Sequence, residues 1–313
     1  MMLKRDVDLK AAVEAAWAAA AAHRGEGKVA SYIPALARVD PMKFGIAVVT
    51  RSGEAIVAGD ADEAFSIQSI SKVFMLALAL NRIQAMLWER VGREPSGSAF
   101  NSIVQLEVEK GKPRNPLINA GALAVTDAVI GDGSPDEAVA ALLDYLRSAG
   151  DDGAVLTDDE VATSESEAGA RNRSLAYFLS AFGNLRNPVE DVLSAYFRQC
   201  ATAMSCRQLA RAGLHLAFDG RDPVTERAPI TPSRSRRINS LMLTCGHYDN
   251  SGDFAFRVGL PGKSGVGGGI LAIVPGEASV CVWSPGLNAA GTSLAGAIAL
   301  EALVERTGWT VFA

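Results

Sequence analysis

The spacing of apolar and polar positions changes along this chain, and the changes divide it. Residues 6–22 place apolar side chains at helical intervals, interrupted by Asp6, Asp8, Lys10 and Glu14. That pattern predicts an amphipathic helix ending near His23 and Gly25. Gly27–Pro34 follows as a loop carrying Tyr32. Phe44–Thr50 and Glu54–Ala58 are β-rich runs on either side of Arg51-Ser-Gly53, a hairpin signal. Phe65-Ser-Ile-Gln-Ser-Ile-Ser-Lys72 then leads into Val73–Leu80, which lacks Gly and Pro and is apolar nearly all round, as a buried helix is.

From about residue 81 to 247 the pattern is largely helical. Leu117–Leu123 opens a small-residue helix that contains Asn119, and Ser134 starts another. Thr157 and Glu160 have capping-box spacing, as do Ser205 and Gln208. Helices are predicted over 175–182, Pro188–Cys200, Ser205–Phe218 and from Pro232 onward. A period of two then returns. Phe254–Val258, Gly269–Val274 and Ser279–Trp283 are predicted strands, with turns at Pro261-Gly262 and Pro275-Gly276 and a terminal helix over Ser293–Arg306. This layout predicts an α+β fold, a mainly antiparallel sheet with flanking helices and an inserted helical lobe. The sheet lobe combines 1–72 with 248–313, the helical lobe spans 73–247, and a cleft lies between them.

Composition narrows the function. The chain has 313 residues, 49% hydrophobic and 21% charged, with net charge -5. Interspersed charges leave no basic footprint for nucleic acid and no polybasic membrane face. No uncharged apolar run reaches a membrane-spanning length of about 18 residues, and no signal peptide is visible. The cytoplasm is the expected compartment. Four cysteines without C-x-x-C spacing and three histidines give no recognisable zinc ligand set, so no metal is expected. Gly265-Val-Gly-Gly-Gly269 superficially resembles a nucleotide loop, but a strand follows it, so the helix that would hold a phosphate is missing.

The chemistry gathers at Ser69 and Lys72. Three apart at the start of a buried helix, they share one face, and desolvation favours the neutral lysine that accepts a proton from a serine nucleophile. An S-x-x-K spacing alone also fits a solvated helix start with an N-cap serine. Lys263-Ser-Gly265 beside a strand matches the K-T/S-G element of S-x-x-K enzymes. Val266 beyond it offers a backbone N–H to an oxyanion together with that of Ser69. Tyr248 is a candidate proton shuttle.

Taken in order, several stretches resemble the serine-dependent glutaminases. They are Gly27–Pro34, Gln68-Ser-Ile-Ser-Lys72, Asn115-Pro-Leu-Ile-Asn-Ala-Gly121, Cys245-Gly-His-Tyr-Asp249 and Phe254–Gly269. The resemblance implies the β-lactamase/penicillin-binding-protein fold and hydrolysis of L-glutamine to L-glutamate and ammonia. It also implies no metal or organic cofactor and a homo-oligomer, a dimer or tetramer. It makes Ser69 the nucleophile, Lys72 its proton partner and Tyr248 the general acid/base, with Ser69 and Val266 N–H groups as the oxyanion hole. Tyr32, Asn119, Glu165, Asn172 and Tyr196 would line the substrate pocket. A free amino acid needs an anion for its ammonium and neutral donors for its carboxylate, which Glu165 and these amides and hydroxyls supply. Read without the resemblance, Glu165 is one acid in a polar, solvated stretch, Asn172 equally caps a helix, and Tyr196 packs in the core. Ala170 stands where an acid often precedes the Arg-Asn pair, and Gly262 where alanine is frequent. The rivals are another S-x-x-K hydrolase (β-lactamase-like amidase, peptidase or esterase) and a non-catalytic binding protein on the same fold.

Overall fold

The computed structural model describes residues 7–96 and 102–312. The first helix, α1, runs Leu9–Ala21, its start fixed by the Asp8 carboxylate accepting from the Ala11 N–H. The expected beginning at residue 6 lies outside the described residues. Strands β1 (Gly45–Thr50) and β2 (Ala55–Gly59) form the predicted hairpin. A two-residue strand, β3 (Phe65–Ser66), and a 3-10 turn over Gln68–Ile70 lead into α2 (Ser71–Ile83). Short helices α3 (Leu87–Arg90) and α4 (Val104–Val108) precede α5 (Asn119–Ile130) and α6 (Pro135–Gly150), the last opened by a Ser134–Glu137 capping box. Then come β4 (Leu156–Thr157), α7 (Asp159–Glu167), α8 (Ala170–Ala181), α9 (Val189–Cys200) and β5 (Thr202–Met204). Helices α10 (Cys206–Ala217), α11 (Pro232–Cys245) and α12 (Ser251–Arg257) close the helical block. Strands β6 (Gly262–Ser264), β7 (Gly269–Val274) and β8 (Ala278–Trp283) and helix α13 (Leu294–Thr307) end the chain.

Both chain ends meet in one antiparallel sheet of order β2-β1-β8-β7-β6, as the sequence pattern predicts. Alternation sorts its side chains between two cores. Ile46, Val48, Ile270, Ala272, Val280 and Val282 face α1 and α13. Ala47, Val49, Leu271, Ile273, Cys281 and Trp283 face the helical block. Burial on both faces explains why β7 and β8 read as continuous apolar runs. A second sheet of order β3-β5-β4 pins Phe65 and Ser66, just before the candidate nucleophile, against Met204 and Ala203. The stretch Gln68–Arg90, 23 residues with mean hydropathy 1.3, is long and apolar enough to cross a membrane. With 61% of that window buried, it is packed as a core helix.

Three local predictions are corrected. Phe254–Val258 is not a strand: it falls mostly in α12. The Phe-x-Phe-x-Val spacing mimics a strand, but Phe254 and Val258 are also four apart on one helical face, and both are buried while Phe256 is 90% exposed. The cap of α7 is Asp158, whose carboxylate accepts from the N–H groups of Glu160 and Val161, whereas Thr157 belongs to β4. Pro261-Gly262 is not a hairpin turn, because Gly262 opens edge strand β6. A Cβ there would lie 2.6 Å from the Phe254 ring and 2.8 Å from His247 Nε2, which accounts for glycine at this position.

Candidate active site

Close backbone approach assembles the site. Added Cβ atoms at Gly265 and Gly267 would lie 2.5 Å from Ile67 O and 2.2 Å from Ser66 O, so only glycine lets the segment after β6 lie against the turn before Ser69. That contact carries Val266 to the cleft, where its N–H has no hydrogen-bond partner among the described residues. Within the turn Gln68 sits at φ 50°, an uncommon conformation for a residue with a side chain. Its buried amide Nε2 donates to Ser66 Oγ at 3.0 Å.

Lys72 is 1% exposed and surrounded by apolar residues of α2. Its Nζ donates to Asn119 Oδ1 at 2.7 Å and to Leu117 O at 3.3 Å. Burial pulls the amine down to about 8, with the fields of Cys200 and Glu165 working against it. Two carbonyl acceptors engage both protons of a neutral amine and leave its lone pair free to accept one. Asn119 is itself held, its Nδ2 donating to Asn172 Oδ1 at 2.9 Å. Asn172 therefore lies inside the first turn of α8, facing the cleft, and is not a cap.

Tyr248 reaches Ser69 from the other side, where its buried hydroxyl is hydrogen-bonded to that residue. Burial raises the phenol well above its usual range, the Ser69 bond opposing. Its backbone has φ 58° in the turn between α11 and α12. Lys263 on edge strand β6, fully buried, donates from Nζ to Gly246 O at 2.9 Å and Ser264 O at 2.6 Å. That nitrogen lies 4.2 Å from the Tyr248 ring centroid, on the K-S-G element the sequence singled out.

These groups open onto a cleft of about 190 Å³. Ser69, Asn119, Glu165, Asn172, Tyr196, Tyr32 and Val266 all line it, so seven of the nine predicted site residues share one wall system, with Lys72 and Tyr248 behind Ser69. Glu165 is not solvated, as its polar neighbours suggest; it is 6% exposed, and burial pushes its carboxyl up to about 7, with the Gln68 amide and then Lys72 opposing. Tyr196 is buried as an apolar helix face predicts, yet it also borders the cleft and is hydrogen-bonded to Cys200. Tyr32, 56% exposed, stands at the mouth.

Comparison with known proteins now decides the family. The glutaminase family model matches residues 27–312. The chain belongs to the glutaminase family. The thermolabile glutaminase of Rhizobium etli is 61% identical over 305 residues, covering 97% of this chain and 99% of that one. A solved probable glutaminase, ybaS, superposes with TM-score 0.93 at 37% identity, covering 97% of this chain and 98% of the other. A probable glutaminase of Bacillus subtilis superposes with TM-score 0.87 at 35% identity, covering 97% and 96%. The fold is the β-lactamase-like one.

Five lining residues, Ile33, Gln68, Ala168, Arg171 and Cys200, escaped the sequence reading, and two of them carry an amide or a charge. Gln68 and Arg171 line the pocket beside the assigned Ser69 and Asn172, and adjacency in the motifs was their only signal. Among the described residues no group of three His, Cys, Asp or Glu side chains could hold a metal ion. The burial of Lys72 has a measurable consequence. Folding favours its neutral form, so the native state binds fewer protons than the unfolded chain from about pH 8 to the ordinary lysine range. The Lys72 contribution to stability therefore rises with pH across that window. Lys72→Met removes that contribution and leaves the other titrating groups in place. Urea unfolding should find the variant's stability relative to wild type falling by on the order of 3 kcal/mol from pH 8 to pH 10.5.

Proposed function

We propose that this chain hydrolyses L-glutamine to L-glutamate and ammonia through a glutamyl-serine intermediate on Ser69. The single observation that carries the reading is the Lys72–Asn119–Asn172 chain, with Lys72 and Asn119 buried, beside Ser69 on the cleft that Glu165 lines. In acylation neutral Lys72, relayed by Tyr248, takes the Ser69 proton as Oγ attacks the γ-amide carbonyl. The Ser69 and Val266 N–H groups hold the developing oxyanion. The proton passes to the leaving nitrogen, the C–N bond breaks and ammonia departs. Water then attacks the ester by the reverse relay, giving glutamate and free Ser69. Glu165 meets the α-ammonium, with Asn119, Asn172, Tyr32 and Tyr196 as neutral partners around it.

The same reading divides the chain into a sheet lobe of 1–72 with 248–313 and a helical lobe of 73–247, the cleft between them. It places the enzyme in the cytoplasm, supported by four buried free cysteines suited to a reducing compartment. It makes the chain a homo-oligomer, dimer or tetramer, supported by large apolar side chains left exposed on the helical block, among them Val104, Val108 and Phe182.

Three measurements test this. An ammonia-release assay on Ser69→Ala should find turnover of glutamine reduced by several decades; retention of more than about a hundredth of the wild-type rate excludes the covalent mechanism. Because catalysis needs ionised Glu165 and neutral Lys72, kcat/KM should rise from pH 6 to about 8.5. Glu165→Gln should lower kcat/KM by roughly one to two decades and move the remaining rise to lower pH, since Lys72 loses a neighbouring negative charge. A profile highest at pH 6 contradicts both assignments. Light scattering at micromolar concentration should report a dimer or tetramer, and a monomer refutes the assembly.

A further inference from the structure

Helices α7 and α8 meet at a corner where two helix ends of opposite sign face the same cleft. α7 ends at Glu167 with the buried Glu165 in its last turn, the negative end of a helix. α8 begins at Ala170 with no side-chain cap and carries Arg171 and Asn172 in its first turn, the positive end. Glu165, Arg171 and Asn172 all line the cleft. Asn172 spends its carbonyl oxygen on Asn119, which leaves its own amide protons available there.

A cation in the first turn of a helix is opposed by the helix's own dipole, and α8 begins with two. Arg173 has a structural explanation. Its guanidinium donates to Ser166 O at 2.5 Å and Ser166 Oγ at 3.2 Å, and lies 5.5 Å from the Phe197 ring centroid. Arg171 has none: among the described residues it makes no hydrogen bond or ion pair, yet it lines the cleft. It is the cationic side chain among the cleft-lining residues, as Glu165 is the anionic one.

We propose that Arg171 is a specificity-determining residue that reads the α-carboxylate, so that the α7–α8 corner grips both charges of a free α-amino acid. This rests on the glutaminase reading above. Glu165 and the end of α7 take the ammonium, and Arg171, the Asn172 amide and the uncapped start of α8 take the carboxylate. The corner then selects against γ-amides whose α-carboxyl is blocked, such as a glutamine inside a peptide. No bond is made or broken by Arg171, so its effect falls on KM.

The experiment compares wild type, Arg171→Gln and Arg171→Lys on L-glutamine and on L-glutamine α-methylamide, from which only the γ-amide releases ammonia. For glutamine, Arg171→Gln should lower kcat/KM about five- to thirty-fold, between the effects of an exposed ion pair and a buried charge-assisted bond. Most of that loss should be in KM, with kcat within about threefold. For the α-methylamide the same variant should change kcat/KM by less than about threefold, and Arg171→Lys should restore most of the glutamine activity. An equal loss on both substrates would mean that Arg171 only supports the fold and overturns the proposal. So would unchanged glutamine kinetics in Arg171→Gln. If wild type itself releases no ammonia from glutamine, the glutaminase reading fails, an outcome distinct from these two.

Discussion

The cleft depends on one amine taken out of water. α2 is apolar nearly all round, so Lys72 has no polar edge along which to extend its head into solvent. Holding it at about 8 instead of the ordinary lysine value represents on the order of 3 kcal/mol of selective destabilisation of the charged form. The protein does not relieve that with a paired carboxylate. It supplies two neutral oxygens, Leu117 O and Asn119 Oδ1, which satisfy an amine's protons without restoring a full counter-charge. The choice fixes more than Lys72. Asn119, buried at the start of α5, needs partners for both ends of its amide, and it finds them in Lys72 on α2 and Asn172 on α8. Three helices are thereby held in register around Ser69 by two hydrogen bonds of 2.7 and 2.9 Å.

The opposite wall is set by backbone rather than side chains. Gly265 and Gly267 allow the chain after β6 to lie against Ile67 and Ser66 with no room for a Cβ. Gln68 and Tyr248, the residues before Ser69 and across from it, both adopt left-handed φ. Such conformations cost of order 1–3 kcal/mol where a side chain is present, and they persist when surrounding contacts over-determine them. Here those contacts are β3 pairing with β5 behind Gln68, and the Lys263 amine bridging Gly246 O and Ser264 O beneath the Tyr248 ring. Strain is concentrated on the two sides of the Ser69 hydroxyl.

What could be read from the sequence follows the range of the interactions involved. Ser69 and Lys72 were legible because their relation is local, three residues on one helix, and Asn119 because a polar amide in an apolar run demands a partner. The sheet was legible because continuous apolar strands at both chain ends have few other places to go. Glu165 was legible only through the family resemblance. Its neighbours are charged and polar, and it is buried because the α7–α8 corner folds over the cleft, a tertiary event with no local signature. Phe254 was misread for the converse reason: two and four residues of separation serve a strand and a helix equally, and packing on His247, with ring centroids 3.6 Å apart, selected the helix. Arg171 gave no signal beyond its adjacency to Asn172 until the cleft placed it.

The two shifted groups also constrain how substrate completes the site. Burial pushes the Glu165 carboxyl up to about 7, and its negative charge is one of the fields that raise the Lys72 amine against burial. In the proposed reaction, a bound ammonium pairs with Glu165, favours its ionised form and cancels most of its field at Lys72. The amine then loses support for its charged form and is displaced further toward the neutral state that accepts the Ser69 proton. A neutral analogue without the ammonium leaves Glu165 free to stay protonated, a carboxylic acid buried without its ionic partner. In that proposal the same carboxyl acts twice, first as the contact that recognises a free amino acid and then, once neutralised, as the removal of a charge that had kept the Lys72 amine protonated. Under the proposed mechanism, recognition of the α-ammonium and activation of Ser69 become one electrostatic event, carried by two groups whose burial alone favours the neutral form of each.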